Sequence, residues 1–472
     1  MKNHLNHTGL YTDLYQLTMA QGYFLSGKHT QQATFDYFFR KNPYEGGYVL
    51  FAGLQDLLDL LQDFKYSEED INYLREEGFN KDFLSYLKHF RYQGTLYSVR
   101  EGEIVFPNEP LIVSRGNLIE TQLIETLLLN VINIQSLIAT KASRIRKVAG
   151  DRTFMDFGMR RAQGLGTIWA SRAAYIGGTN ATSNVLSGKL YGIPLSGTQA
   201  HSWIESFDSE LEAFRIFAET ATGKVILLVD TYDTLMSGVP NAIKIAREMK
   251  EKGRKVDGIR LDSGDLANFA QKSRNLLDNA GFQKIKIIAS NQLDEYVIRS
   301  LNEQGAPVDG FGVGTELITG RPSAALDGVY KMSYCNGDPK IKLSENIEKI
   351  TLPGNKKLYR ILDKNGNFYR DAILLSDEEL PDRIYHTLFH DKQTAITGLH
   401  GESIHEKVME KGETTCPQKS LEEIKAFALK RFEQLPDVHK RFENPHEYKV
   451  GISKKLLALR DQKINENKIG KN

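Results

Sequence analysis

The chain has 472 residues, 40% of them hydrophobic, which is more than one hydrophobic core usually organises, so two or three domains are expected. Its 61 lysines and arginines almost cancel its 60 aspartates and glutamates, leaving no global field to recruit nucleic acid or an anionic membrane. Cys335 and Cys416 are too few for a disulfide framework, the first residues lack an apolar signal core, and no run approaches the roughly 20 apolar residues that span a bilayer; a cytoplasmic protein is expected.

Residues 33 to 115 carry extended-looking stretches, TFDYFFR, GYVLFAG and TLYSVREGEIVFPNEPLIVSRG, around the amphipathic helical piece QDLLDLLQDF. Residues 1–117 are therefore assigned to an N-terminal α+β domain. From 118 to 148 the apolar residues recur at helical spacing, and Gly150 marks the stop of a buried helix or helical pair. The rhythm then changes. KVILLVD (224 to 230), VDGIRLDSGD (256 to 265), KIKIIASN (284 to 291) and VDGFGVGT (308 to 315) read as short buried strands. The helices between them end at Gly253, Gly281 and Gly305, where a glycine takes the left-handed cap conformation without steric cost. TFMDFG (153 to 158) and GIPLSGT (192 to 198) are expected to supply earlier strands of the same sheet. Alternating strand and helix implies parallel strands, closed as an irregular α/β barrel or opened as a doubly wound sheet, over residues 118–330. In residues 331–472, KLYRILDKNGNFYRDAILL reads as a hairpin turned at Asn365 and Gly366 that rejoins the first domain between about 330 and 400. A charged helical region follows from Lys419, with a frayed lysine- and asparagine-rich tail.

In such folds the strand ends that lead into helices gather on one face. Here they carry Asp156, Thr198 with His201, Asp230 with Asp233, Asp262 with Asp265, Asn291, and Gly312 with Gly314 and Thr315. GVGT followed by Gly320 offers backbone amides to a phosphate, or is a plain turn. The two carboxylates of DSGD suit a ribose diol or Mg²⁺, or merely cap a helix. Arg260 shares a strand face with Asp262 and is either an anion clamp or its structural ion partner. For His201 alone the favoured reading is a polar residue capping a helix, and the arginines of DFGMRRAQG read equally as a solvated basic turn. His386, His390, His400, His405 and Cys416 tempt a zinc reading, since His386 and His390 have the i, i+4 spacing of one helix face; the remaining spacings match no compact zinc signature, and scattered surface histidines are the favoured alternative.

Taken together, YTDLYQLTMAQGY (11 to 23), DFGMRRAQG (156 to 164), GGTNATSN (177 to 184), GTQAHSW (197 to 203), LVDTYDTL (228 to 235), IRLDSGDL (259 to 266) and FGVGTELITG (311 to 320) resemble the nicotinate phosphoribosyltransferase family, in family order. The residues beyond 320 carry no matched motif. The resemblance implies a type II phosphoribosyltransferase fold, with an α+β domain assembled from both chain ends and a central irregular barrel. It also implies a homodimer with shared active sites, in which Asp13 and Tyr15 are lent across the interface and Tyr15 stacks on the pyridine ring. Thr198, Arg260, Phe157 and Arg160 match nicotinate-side positions, Arg160 as a ring- or phosphate-side arginine. Gly312, Gly314, Thr315, Ser263 and Gly264 match the phosphoribosyl side. His201 matches the histidine that the family phosphorylates from ATP, with Asp230 and Asp262 as catalytic carboxylates near Mg²⁺. The implied reaction joins nicotinate to phosphoribosyl pyrophosphate with ATP as co-substrate, in salvage synthesis of NAD. Its rivals are a nicotinamide-specific relative, a phosphoribosyl-binding sensor without catalysis, and a metal-dependent barrel lyase.

Overall fold

The computed structural model describes residues 7–346, 349–387, 389 and 391–469. The chain divides into two compact units, Met1–Leu137 with Ala325–Asn472, and Ile138–Ala324. The first division falls inside the helix Glu125–Ala149 rather than at residue 117. Side chains in the first half of that helix bond to the N-terminal segment: Gln135 Nε2 donates to Asp56 at 2.8 Å, and Ser136 Oγ accepts from the Ala52 amide at 3.1 Å.

The first unit contains a seven-stranded antiparallel sheet in the order Asp338–Pro339, Gly328–Cys335, Gln32–Phe39, Ile112–Asn117, Thr95–Val99, His405–Glu410, Glu413–Thr414. The apolar run around Phe35 and Tyr37 forms its centre, while strands from the C-terminal part flank it on both sides. The hairpin Lys356–Leu362 and Phe368–Leu375 belongs to a second, six-stranded mixed sheet. Its turn is held by Asp363 Oδ1, which accepts from the amides of Asn365 and Asn367 at 2.8 Å, and by Gly366 at φ +80°. Helices Leu421–Gln434 and Lys454–Ile469 account for the charged C-terminal region; the tail beyond 469 lies outside the described residues.

The second unit is built on six parallel strands: β1 Thr153–Asp156, β2 Ala181–Thr182, β3 Ile226–Leu228, β4 Gly258–Leu261, β5 Lys286–Ala289 and β6 Gly310–Val313. Their order is β2-β1-β6-β5-β4-β3. The first strand in the chain thus pairs with the last, as closure of a barrel requires, and the sheet is open only between β2 and β3. Val225 to Val229 are buried without alternation, as expected for a parallel strand covered on both faces. Helices Val239–Glu251, Leu266–Asn279 and Glu295–Glu303 follow β3, β4 and β5. Gly253, Gly281 and Gly305 take φ of +68°, +83° and +65° just past them.

Three expectations are corrected. GIPLSGT forms no strand: Leu195 makes a single bridge to Thr182, and the segment lies in chain order within the β2 to β3 opening. Its two glycines and a proline leave too few donors and side chains to hold a ladder. His386 ends the strand Arg383–His386, so no helix face joins it to His390, which lies outside the described residues. His405 is not a surface histidine. It is half-buried, with Nε2 at 2.6 Å from the Pro110 carbonyl, and desolvation of the ring pushes its pKa down to about 4. Among the described residues no group of three or more His, Cys, Asp or Glu side chains could hold a metal ion.

Candidate active site

Parallel strands deliver their carboxyl ends to one edge, and the polar residues beyond β3, β4 and β5 meet there around Asp262. Period two places Arg260 and Asp262 on one face of β4, and Arg260 Nη2 lies 3.2 Å from Asp262 Oδ2. Ser290, just past β5, donates its hydroxyl to Asp262 Oδ1. Arg260 Nη1 donates to Thr198 Oγ1 and, at 3.3 Å, to the Gln199 carbonyl. The loop that fails to form a strand is therefore tied to β4 by a guanidinium. His201 opens the helix His201–Glu205, with Nε2 3.7 Å from Asp262 Oδ2 and Nδ1 3.1 Å from Thr231 Oγ1.

Asp230 follows β3. Its Oδ2 accepts from the Asp262 amide and from Ser263 Oγ, both at 2.7 Å. Its Oδ1 is buried with no protein partner, as are Arg260 Nε and both amide atoms of Gln199. Leaving such atoms unbonded costs about 1–3 kcal/mol each, so their concentration in one place marks a site completed by something other than this chain.

Other members of the expected polar ring are structural. Asp156 is fully buried and accepts from Gly158 N, Ser171 Oγ and Thr182 Oγ1 at 2.7 to 2.9 Å. Burial nonetheless raises its pKa. Asp233 caps the turn Thr234–Gly238 through the amides of Leu235 and Met236, and Asp265 caps Leu266–Asn279 through Asn268 N. Gly320 spends its amide on the Leu317 carbonyl at 3.2 Å, so it is no free phosphate donor. Gly312 has a packing reason: a Cβ there would lie 2.5 Å from the Phe157 ring, which covers the cluster of Met155, Ala181, Ile226 and Ile288. At Gly314, beside Thr315, a Cβ would meet nothing closer than 3.4 Å. Gly264 sits at φ +72° with the Phe269 ring 2.4 Å from a built Cβ, and both features require glycine in the DSGD turn. Arg160 is exposed in the turn Met159–Arg161. Asp13 and Tyr15 belong to the other unit, where Asp13 Oδ2 accepts from Thr126 Oγ1 at 2.9 Å and the Tyr15 side chain is half exposed.

Three family descriptions cover the chain: the nicotinate phosphoribosyltransferase N-terminal domain over residues 10–133, the nicotinate phosphoribosyltransferase family over 152–389, and the nicotinate phosphoribosyltransferase C-terminal domain over 355–460. The chain belongs to the nicotinate phosphoribosyltransferase family. The last of these matches reaches the segment in which no motif was recognised. The nicotinate phosphoribosyltransferase of Bacillus subtilis (strain 168) is 44% identical over 470 residues, covering 97% of this chain and 96% of its own. That of Dictyostelium discoideum is 37% identical over 512 residues, covering 95% and 87%. The crystal structure of human nicotinic acid phosphoribosyltransferase superposes with a TM-score of 0.83 at 29% identity, over 96% of this chain and 99% of that one.

Thr231, Ser290 and Gln199 were not singled out as members of the site from the sequence. Hydroxyls and an amide carry no charge pattern, and the signal that would have found Thr231 and Ser290 is their place three residues and one residue past a strand, beside Asp230 and Asn291.

Proposed function

We propose that the chain is a nicotinate phosphoribosyltransferase that makes nicotinate mononucleotide and pyrophosphate from nicotinate and phosphoribosyl pyrophosphate, coupled to ATP hydrolysis through a phosphohistidine at His201, in NAD salvage. The observation that carries this reading is the meeting of Arg260, Asp262, His201 and Asp230 at adjacent strand ends, with polar atoms left unbonded. Family membership supports the substrates.

The pyridine nitrogen attacks the anomeric carbon as the bond to pyrophosphate oxygen breaks, so no protein nucleophile is needed at that step. Positive charge develops on the ribose, and carboxylates beside it stabilise that state. Asp262 and Asp230 fill this role. Arg260 with Thr198 meets the nicotinate carboxylate, Phe157 and a Tyr15 lent across the dimer meet the ring, Arg160 serves as a ring- or phosphate-side arginine, and Gly312, Gly314, Thr315, Ser263 and Gly264, with an Asp13 lent in the same way, face the phosphoribosyl group. Mg²⁺ fits as an ion brought by pyrophosphate, since it needs only one or two carboxylates. Asp230 Oδ1 is the oxygen without a protein partner, with Asp262 next to it, and the ion would neutralise the leaving group. His201→Ala should abolish incorporation of acid-labile phosphate from ATP, together with ATP stimulation, while a slow ATP-independent transfer persists. Incorporation surviving in this variant refutes the assignment.

The active form is proposed to be a homodimer in which Tyr15 of one protomer completes the site of its partner. Mixed Tyr15→Ala and His201→Ala subunits, each without ATP-stimulated transfer alone, should then recover part of that ATP-stimulated activity through hybrid sites. No recovery despite demonstrated subunit exchange rejects shared sites. A cytoplasmic location is proposed too: both cysteines are free, and among the described residues no helix is long and apolar enough to cross a membrane.

A further inference from the structure

We propose that a cavity in the unit made from both chain ends binds a small zwitterion with an aromatic body, of the chemistry of an aromatic amino acid. The cavity has a volume of about 450 Å³, which suits a small molecule. It lies between the helix Leu54–Gln62, the strand His405–Glu410 and the helix Leu421–Gln434, all within that unit. Leu54, Leu58, Val408, Ile424 and Phe427 give it an apolar lining. Its walls are held by contacts of their own. Glu101 caps the first helix by accepting from the amides of Gly53 and Gln55 at 2.5 and 3.2 Å. Ser420 and Glu423 form a capping box on the second. Gly102, at φ +93°, lets the chain pass close beneath that helix, where a Cβ would lie 2.9 Å from the Ile424 carbonyl.

Six charged side chains line the cavity, and four of them are engaged: Arg100 with Glu406 at 3.4 Å, Glu101 with the two amides, and Glu423 with Ser420. Arg100 also lies 4.7 Å from the Phe427 ring centre. The other two are Asp59 and Lys419, of opposite sign. Both are half-buried, and among the described residues neither has a hydrogen-bond or ion-pair partner, in the other or elsewhere. Thr414 Oγ1, on the same lining, is buried without a partner as well. A carboxylate and an ammonium partly withdrawn from water gain most from charge-assisted bonds to opposite charges. A ligand that carries both an ammonium and a carboxylate meets Asp59 and Lys419 together, and its aromatic body fills the apolar space beside Phe427. An amine alone or an acid alone leaves one of the two charges unmet.

The test uses the full-length protein and L-phenylalanine as the probe, with phenethylamine and 3-phenylpropionate as its single-charge counterparts. Equilibrium dialysis of labelled probe measures binding. Alkylation of Cys416, which lines the cavity, locates it, with Cys335 at the end of the strand Gly328–Cys335 as internal reference. A ligand of this size at ordinary efficiency per atom has a Kd on the order of 1 mM, so about 10 mM probe should slow Cys416 alkylation roughly tenfold and leave Cys335 within about twofold. Asp59→Asn and Lys419→Met should each weaken binding roughly fivefold, and the single-charge counterparts should fall short of the zwitterion by a similar factor. Leu58→Trp, which fills the space, should remove binding; the two charge variants decide the matter should that variant fail to fold. No saturable binding up to about 10 mM overturns the proposal. So does binding that leaves Cys416 alkylation unchanged, full affinity in either charge variant, or equal binding of the amine or the acid.

Discussion

Arg260→Ala is expected to weaken kcat/KM for nicotinate by roughly a hundredfold or more, and that for nicotinamide, if it is used at all, far less. A carboxylate leaving water needs a fixed donor, and a guanidinium meets it with charge-assisted bonds that a lysine cannot reproduce. Removing one partner from a buried charge pair costs about 3–5 kcal/mol, which sets the size of the effect. Arg260 is only 14% exposed, and its Nε has no protein partner, so it retains a donor for a ligand. Its Nη atoms, however, hold Thr198 and Asp262. Steady-state kinetics with both substrates separates the two roles, and Arg260→Lys should restore only part of the activity. Equal losses for acid and amide would make Arg260 the structural partner of Asp262 and leave the carboxylate to Arg160.

A comparable effect on stability is expected at Arg360, which is fully buried in the unit made from both chain ends. Its Nε and Nη2 bond Asp371 at 3.0 and 2.6 Å, Nη1 bonds Glu103 at 2.5 Å, and the guanidinium stacks 4.0 Å from the Phe368 ring centre. Arg431 shares Glu103 from the helix Leu421–Gln434, and Tyr448 donates to Asp371 at 2.8 Å. Arg360→Met preserves bulk but leaves buried Asp371 without its cation and Glu103 with Arg431 alone, and should destabilise this unit by about 3–5 kcal/mol. Burial and the charge of Asp371 already push the neighbouring Glu109 carboxyl well up, so little spare positive charge is at hand. Denaturant unfolding followed by hydrogen exchange of the hairpin amides measures this. A change below 1 kcal/mol would mean that the network relaxes by taking up protons or water. Replacing Asp371 with leucine in the same chain should recover part of the loss.

The helices after β3, β4 and β5 and their glycine stops were legible because both signals are local: apolar spacing over a dozen residues, and a backbone angle only glycine takes cheaply. So was the shared face of Arg260 and Asp262, since alternation on a strand depends on nothing distant. The segment at 192–198 misled for the opposite reason. Its residues look extended, but a strand exists only if a neighbour accepts its ladder, and Leu195 finds one bridge. Among the described residues no group of three or more ligands supports the zinc reading either, because whether histidines converge depends on the sheet each strand joins.

Family, most of the parallel strands with the helices between them, and the charged candidate side chains were therefore determined by the sequence alone. Which of those candidates stay available for chemistry was decided by the tertiary structure. Asp156, Asp233 and Asp265 follow strands as Asp230 and Asp262 do, yet Asp156 has both oxygens taken inside the protein, and Asp233 and Asp265 each use Oδ1 to cap the helical turn that follows. Asp230 keeps a buried oxygen unbonded, and Asp262 faces a histidine and an arginine. At Asp156 two of the partners, Ser171 and Thr182, lie 15 and 26 residues away. At Asp262 Ser290 lies 28 residues away. Hydrogen-bond satisfaction couples residues that are remote in the chain, so only the folded arrangement separates a carboxylate that holds the fold together from one left to act on a ligand.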